Sequence, residues 1–454
     1  MKQYRAAIIG GGLSGLTTAY YLSKRGVSCV VVESTERLGG MIESFSESGF
    51  TYESGPNTGV IGNIEVVELF KELSGECEVL PARSEAKRRL ILKGGTLHEL
   101  PSGLCSGVRT PLFKFSDKLR VLGEPFRAKG KNSEESVADM VRRRLGGSIL
   151  DYAVDPFIGG IYAGDPEKLV TRYALPKLHN LEQNYGSFIR GTIKRGKLAK
   201  ADRAAGISKE IFSTSGGLCQ LTQALEKNIK KNGGEFILGH SATVNPLKEG
   251  GYSIVAGEKR IEAESVISTV PGYELESVMP FIESDTMEKI TSLEYAGVVQ
   301  VAVGYNSLSE KMRSGQINSF GALFPFKEGS KVLGILFPSS CFEGKAPKEG
   351  ALLSIFIGGA RHKEIFEMND KQIEELARLE IAFKLGIKKK PDLLKIFRHP
   401  RAIAQYEKSS GARFEAIKEI EAKYSGLLLG GGIRDGIGMA DRIKQAKLLS
   451  NSVL

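Results

Sequence analysis

Ten residues in, the chain reads Gly10-Gly-Gly12-Leu-Ser-Gly15 between a short apolar run, Tyr4 to Ile9, and a helical run, Leu16 to Arg25. The helical run keeps Leu16, Ala19, Tyr20 and Leu22 on its inner side, and Ser28 to Glu33 then reads as a second buried strand. Strand, glycine turn, helix and strand in this order predict a βαβ unit. Each glycine has its own task. Gly10 allows the tight turn, Gly12 lets the backbone approach a pyrophosphate, and Gly15 lets helix and strand pack closely. Gly11, Leu13 and Ser14 complete the turn, and the helix N-terminus faces the phosphates. Glu33, 18 residues after Gly15, ends the second strand, where a carboxylate takes ribose hydroxyls. The unit is predicted to bind a dinucleotide.

The rest of the chain narrows the class. It has 454 residues, room for two or three domains. A content of 41% hydrophobic and 26% charged residues excludes a disordered chain, a collagen and a disulfide scaffold. Cys29, Cys77, Cys105, Cys219 and Cys341 are scattered and odd in number, which predicts free thiols in a reducing compartment and no zinc site. The five histidines have no metal-ligand spacing, so no metal is expected. The uncharged stretch from Ala6 to Ser23 is broken by glycines, and no window holds about 18 uninterrupted apolar residues. An intracellular protein without a membrane-spanning helix is expected. The net charge of +10 comes with no nucleic-acid module, so no nucleic acid is expected as partner.

After Glu33 the chain continues Ser34-Thr-Glu-Arg37-Leu-Gly39-Gly40. This extension resembles the FAD proteins of the glutathione-reductase type, above all the amine oxidase superfamily. No second glycine fingerprint for a nicotinamide occurs: Gly94-Gly95 and Gly216-Gly217 lack the spacing. FAD is the implied cofactor, with oxygen or a quinone rather than a nicotinamide as electron acceptor. At the far end, Leu427 to Leu429 reads as a strand running into Gly430-Gly-Gly432, and Ile433 to Asp441 leads into a closing helix. The resemblance implies that this helix points at the flavin, so that both chain ends build one FAD domain.

Glu235 to Leu238, Tyr252 to Val255 and Lys259 to Glu262 read as short strands, with a hairpin turn at Glu249-Gly250-Gly251. Ser265 to Pro271 reads as a further strand. Residues 291–400 alternate strands (Gly297 to Tyr305, Lys331 to Pro338, Ala351 to Ile357) with loops, then a helix over Asp370 to Gly386. That order suggests an α+β domain. Residues 105–130 mix Arg109, Lys114, Lys118, Arg120, Arg127 and Lys129 with Val108, Leu112, Phe113, Phe115, Leu119, Val121, Leu122 and Phe126, and Arg190 to Arg203 adds six more basic residues. Apolar and basic residues interleaved in this way suit an anionic membrane interface.

Gly39-Gly40-Met41-Ile42, Glu53-Ser-Gly55-Pro56-Asn57-Thr58, Leu100-Pro-Ser-Gly-Leu104, Arg144-Leu-Gly146, Ser215-Gly-Gly-Leu218 and Gly436-Ile-Gly-Met439 follow one another along the chain. With Asp155-Pro-Phe-Ile-Gly-Gly160-Ile-Tyr-Ala-Gly164-Asp165-Pro, they make the whole chain resemble the FAD-dependent protoporphyrinogen oxidase family. The resemblance implies an α/β fold in three parts. A Rossmann-type FAD-binding domain takes residues 1–85, 207–271 and 424–454. A substrate-binding domain takes residues 86–101 and 272–423, and a helical membrane-binding insertion takes residues 102–206. It implies an enzyme of haem biosynthesis that oxidises protoporphyrinogen IX in three two-electron steps, each moving a hydride equivalent to the flavin, with oxygen as acceptor and hydrogen peroxide as product. It also implies a cytoplasmic protein, peripheral on the inner face of the cell membrane, with a homodimer left open.

On the same resemblance Gly10 to Gly15, Glu33, Arg37, Gly39, Gly40, Met41, Gly55, Pro56, Asn57, Thr58, Val244, Gly432, Ile437, Gly438 and Met439 touch FAD. Gly160 turns its backbone carbonyl to the pyrroles, as the catalytic position, and Phe320, Leu323 and Phe356 sandwich the macrocycle. Where some relatives carry a propionate-binding arginine this chain has Cys105, which makes Arg109 the candidate partner. Val60-Ile-Gly-Asn-Ile after the Gly-Pro motif leans to protoporphyrinogen IX over coproporphyrinogen III. Rival readings are coproporphyrinogen III oxidation, an amine or carotenoid oxidase, and a non-enzymatic escort protein on the same fold.

Overall fold

The structure, a computed structural model, describes residues 2–453, without the side chains of Leu104, Lys197, Leu198 and Ala199. The leucine of the Leu-Pro-Ser-Gly-Leu104 segment and the basic Lys197 thus lie outside the described side chains.

Strand β1 (Lys2–Ile9) pairs in parallel with β2 (Cys29–Val32) on one side and with Lys259–Ser268 on the other. Helix α1 (Leu13–Lys24) joins β1 to β2. Glu235–Ile237 extends the sheet beyond β2, again in parallel. Ile8, Val30 and Val31 are wholly buried, as strands covered on both faces must be. Lys259–Ser268 is one continuous strand where two were expected. Its first half carries the antiparallel strand Tyr252–Ala256, and its second half pairs in parallel with Leu427–Leu429. The exposed Lys259, Arg260 and Glu264 interrupt its apolar pattern and hide that continuity in the sequence. The expected turn at Gly250 and Gly251, with φ of 96° and 77°, links Tyr252–Ala256 to Ala242–Pro246.

The second sheet runs Leu393–Ala404, Tyr295–Tyr305, Ala351–Gly358, Val332–Leu336, Gly321–Leu323, Arg89–Lys93, Thr96–Glu99. Helix Asp370–Leu385 packs Ile373, Ala377 and Ile381 onto its core. The 12-residue strand Leu393–Ala404 was not legible in the sequence because Pro400 and four basic residues sit inside it. It survives as an edge strand, and its register against Tyr295–Tyr305 slips between Ala296 and Val298 beside the proline, where a missing N–H is tolerated.

Residues 104–204 fold into short helices. A buried charge network ties them together. Arg144, fully buried, pairs with Glu124 and with Glu182 (2.8 Å), and Arg143 pairs with Glu182 (2.9 Å) and Glu135 (2.7 Å). The Phe188 N–H donates to Glu124 at 3.0 Å. No described helix is long and apolar enough to cross a membrane.

Candidate functional site

A single cavity of about 940 Å³ runs from the glycine turn to the second sheet. That is near the upper end of the roughly 300–1,000 Å³ of ligand sites. At one end it is walled by Gly10, Gly12, Leu13, Ser14, Glu33, Arg37, Gly39, Gly40, Met41, Gly55, Pro56, Asn57, Thr58, Gly432, Ile437 and Met439. Sixteen predicted cofactor residues from four separate segments thus share one wall.

The local chemistry of this end suits an anion carried on a dinucleotide. Gly10 takes φ of 103°, open to glycine and costly for other residues. A Cβ on Gly12 would meet only the Gly40 Cα, at 3.9 Å, so its approach side is open cavity. The Glu33 carboxylate is oriented by the N–H groups of Gly11 (2.7 Å) and Thr35 (3.0 Å). Arg37 donates to the carbonyls of Gly40 (2.5 Å) and Ile42 (2.9 Å), which pins the Gly39-Gly40 turn. Asn57 accepts from the Ser354 hydroxyl at 2.7 Å. Gly55 lies so close to Met41 that a Cβ would stand 2.0 Å from its carbonyl oxygen.

At the other end the wall is mostly apolar: Gly160, Ile161, Val298, Leu323, Leu333 and Phe356, with Gln300 and His399 among them. Gly160 lies on helix α2 (Asp155–Tyr162), and a Cβ there would meet Leu323 Cδ2 at 2.8 Å. Glycine at this point lets α2 and Leu323 close the chamber together.

Six predicted residues are not on the wall. Gly11 and Gly15 lie behind the turn, and a Cβ on Gly15 would strike the Gly10 carbonyl. Gly438 caps the closing helix Met439–Asn451, its N–H donating to Asp441. Val244 is fully buried in the strand Ala242–Pro246, and Ala242 faces the cavity instead. Phe320 packs with Ala86, Cys341 and Phe342 under the Arg89 guanidinium, 5.4 Å from its ring. It stands one residue before the strand whose Leu323 does reach the chamber, which is why its type and spacing misled. Arg109 is exposed in the last turn of Leu104–Arg109 and is not part of the cavity wall.

Other residues were missed. Arg442, four residues after Gly438, lines the cofactor end, donates to the Arg434 and Gly436 carbonyls (2.7 Å each), and leaves its buried Nε without a partner among the described residues. Arg401 lies over the Tyr273 ring (4.4 Å) on the same cavity wall. Neither belongs to a local motif. Both reach the cavity through strand and helix pairing distant in sequence.

The helical insertion presents a separate surface. Val108, Phe115, Leu122, Phe126 and Ile193 are 68–85% exposed, with Lys114, Lys129, Arg190 and Lys194 exposed among them. Leu112 is instead core, and Lys118 is spent on the carbonyls of Val108 and Thr110 (2.7 Å each).

The family model for flavin containing amine oxidoreductase matches residues 13–405. Protoporphyrinogen oxidase, chloroplastic, of Oryza sativa subsp. japonica is 31% identical over 466 residues, covering 97% of this chain and 86% of the relative. Protoporphyrinogen oxidase of Homo sapiens is 29% identical over 475 residues, 98% of each chain. Among solved structures, one from Exiguobacterium sp. 255-15 superposes with a TM-score of 0.81 at 22% identity, over 100% of this chain and 98% of that one. Cyclohexylamine oxidase from Brevibacterium oxydans IH-35A superposes with a TM-score of 0.72 at 14% identity, over 99% and 98%. The two structures share the fold.

Proposed function

Since the chain belongs to the flavin containing amine oxidoreductases, and within them to the protoporphyrinogen oxidases, we propose that it oxidises protoporphyrinogen IX to protoporphyrin IX through FAD. The observation that carries this reading is the continuity of the cavity. One space joins the glycine cradle to a chamber walled by Gly160, Leu323 and Phe356. FAD, the family's cofactor, supplies the two-electron acceptor. The residues fit it: an open face at Gly12, an oriented Glu33 carboxylate, and a buried Arg442 Nε unpartnered among the described residues.

The chain's own residues orient and shelter. Leu323 and Phe356 offer apolar contact to a flat ring, and the missing side chain at Gly160 lets the macrocycle lie against the helix backbone. Burial in this chamber excludes water from the reacting edge. The net reaction removes six electrons and six protons from the porphyrinogen and passes them to three oxygen molecules, giving three hydrogen peroxide. Aerobic turnover with protoporphyrinogen IX and coproporphyrinogen III, followed by porphyrin fluorescence and peroxide yield, tests it. Preference for protoporphyrinogen IX supports the reading, and oxidation of coproporphyrinogen III alone replaces it.

We propose further that the protein is peripheral on the cytoplasmic face of an anionic membrane. Support comes from the exposed Val108, Phe115, Leu122 and Phe126 beside Lys114 and Lys129. Apolar side chains enter the interface and basic ones meet lipid headgroups, each worth about 1 kcal/mol near the surface.

A further inference from the structure

Helix α2 walls the substrate chamber and buries Pro156, Ile158 and Tyr162, yet its Gly159-Gly160 stretch on the chamber side carries no side chain to lock it in place. A second cavity of about 20 Å³ lies behind it, between Gly159, Ala163, Phe324 and Leu333. The turn that leads into it, Leu150–Val154, is π-helical, a wide turn often found at functional sites. Besides that packing, both ends of the helix are tied to one side chain, three residues past the strand Ala351–Gly358. Arg361 Nη1 reaches Asp155 Oδ1 at 2.5 Å, and Nη2 reaches Asp165 Oδ1 at 2.6 Å. Asp155 is the first residue of α2, and Asp165 lies three residues past its end. One guanidinium therefore spans both ends of the helix, with all three side chains 11–17% exposed.

Neighbouring bonds act with it. The second oxygen of Asp155 accepts from the Phe326 N–H at 2.9 Å. The Ala163 carbonyl accepts from the Ala360 N–H at 2.7 Å, and Gln405 Nε2 donates to the Tyr162 carbonyl at 2.8 Å. Ala163 is driven to φ of 46°, which folds the chain back so that Asp165 meets Arg361. Arg361 itself is absent from the wall of the large cavity.

We infer that Arg361 is a positioning residue: its clamp on Asp155 and Asp165 holds the Gly159–Ile161 wall of α2 in place for substrate oxidation without touching the substrate. The inference rests on the functional reading above. Without the guanidinium, two mostly buried carboxylates lose their shared counter-charge, keep only the Phe326 and Glu167 N–H donors, and repel each other. A shift of about 1 Å in such a wall costs on the order of 100-fold in rate.

The test compares holoenzymes of wild type, R361Q, R361K and R361Q/D155N/D165N at a temperature where all are folded. R361Q is expected to lower kcat about 10- to 100-fold, with FAD content retained and KM little changed. R361K restores part of kcat, and the neutral triple variant exceeds R361Q because the carboxylate repulsion is gone. Amide exchange over residues 155–163 quickens in R361Q, while exchange in β1 and α1 does not. Wild-type kcat and exchange in R361Q overturn the inference. So does a loss of kcat that only follows lost FAD and lowered Tm. If the wild-type protein oxidises neither porphyrinogen, the functional reading falls, and the substrate role of the clamp with it. The exchange pattern distinguishes that outcome from failure of the clamp itself.

Discussion

Gly15 packs its α-carbon so tightly against Gly10 that a Cβ would stand 1.9 Å from the Gly10 carbonyl oxygen. A Cβ on Gly12, three residues earlier, would meet only the Gly40 Cα, at 3.9 Å, among the described residues beyond its own chain neighbours. The two glycines should therefore fail differently. Gly15→Val overpacks the protein itself, at a cost of about 1–3 kcal/mol or more. Gly12→Val fills space needed by the pyrophosphate. Apoprotein Tm should fall for Gly15→Val and hold for Gly12→Val, while both purify without yellow colour. Stoichiometric flavin in Gly12→Val contradicts the cradle.

Arg109 and Gly160 separate binding from geometry. Arg109 is exposed and off the cavity wall, so Arg109→Ala should leave KM for porphyrinogen within about twofold, as for a neutral surface change. Gly160→Val places a branched side chain into Leu323 and the chamber, and kcat should fall by about 100-fold. Steady-state kinetics of both variants check this pair. A large KM effect at Arg109 returns that arginine to the substrate.

How far the site was legible follows from how local each part is. The turn from Gly10 to Gly15 and Glu33 lie within one βαβ unit, where spacing alone dictates geometry. Leu323 and Phe320 show the limit. Both are apolar and near each other in sequence, yet only Leu323 turns into the chamber, because strand alternation is set by the pairing of Gly321–Leu323 with Arg89–Lys93 and Val332–Leu336. The Arg361 clamp joins residues 196 and 206 positions apart, and no local pattern announces such a contact. Val244 was tied to the cofactor by resemblance, and the strand that encloses it was not read because Asn245 and Pro246 close it.

Membrane binding should depend on both halves of the exposed surface. Lys114→Glu weakens sedimentation with anionic vesicles, and most at low salt, since its charge is free of protein partners among the described residues. Phe115→Ser and Phe126→Ser weaken it at every salt concentration by removing insertion. Lys118→Glu is a poor probe, because it breaks bonds to Val108 and Thr110. Equal binding to neutral and anionic vesicles contradicts the proposal.

Acid should release the insertion and the α2 clamp together. Burial pushes the carboxyls of Glu124, Glu182 and Asp165 up. Glu124 is held below the ordinary carboxylate range by Ser187, the Phe188 N–H and Arg144, Glu182 by Arg143, the Gly130 N–H and Arg144, and Asp165 by Arg361. A folded pKa below the unfolded one stabilises the protein above the unfolded value and loses that stabilisation as pH falls through the folded one. With ordinary values of about 3.9 for Asp and 4.3 for Glu, Tm should stay level from neutral pH down to about 5 and drop steeply below about 4. Arg144→Ala, which strands Glu124 and Glu182 in the interior, should cost about 3–5 kcal/mol at neutral pH. Near-ultraviolet dichroism of the tyrosines follows both, as the chain has no tryptophan. A Tm that rises on acidification contradicts the charge network.

The continuity of cradle and chamber is tested most directly by a single anaerobic mixing of the FAD-loaded protein with protoporphyrinogen IX. The predicted result is loss of the oxidised flavin absorbance at a rate that saturates with porphyrinogen, reversed when oxygen is admitted and slowed about 100-fold by Gly160→Val. Flavin absorbance unchanged by excess porphyrinogen, in protein that carries full FAD, would contradict it.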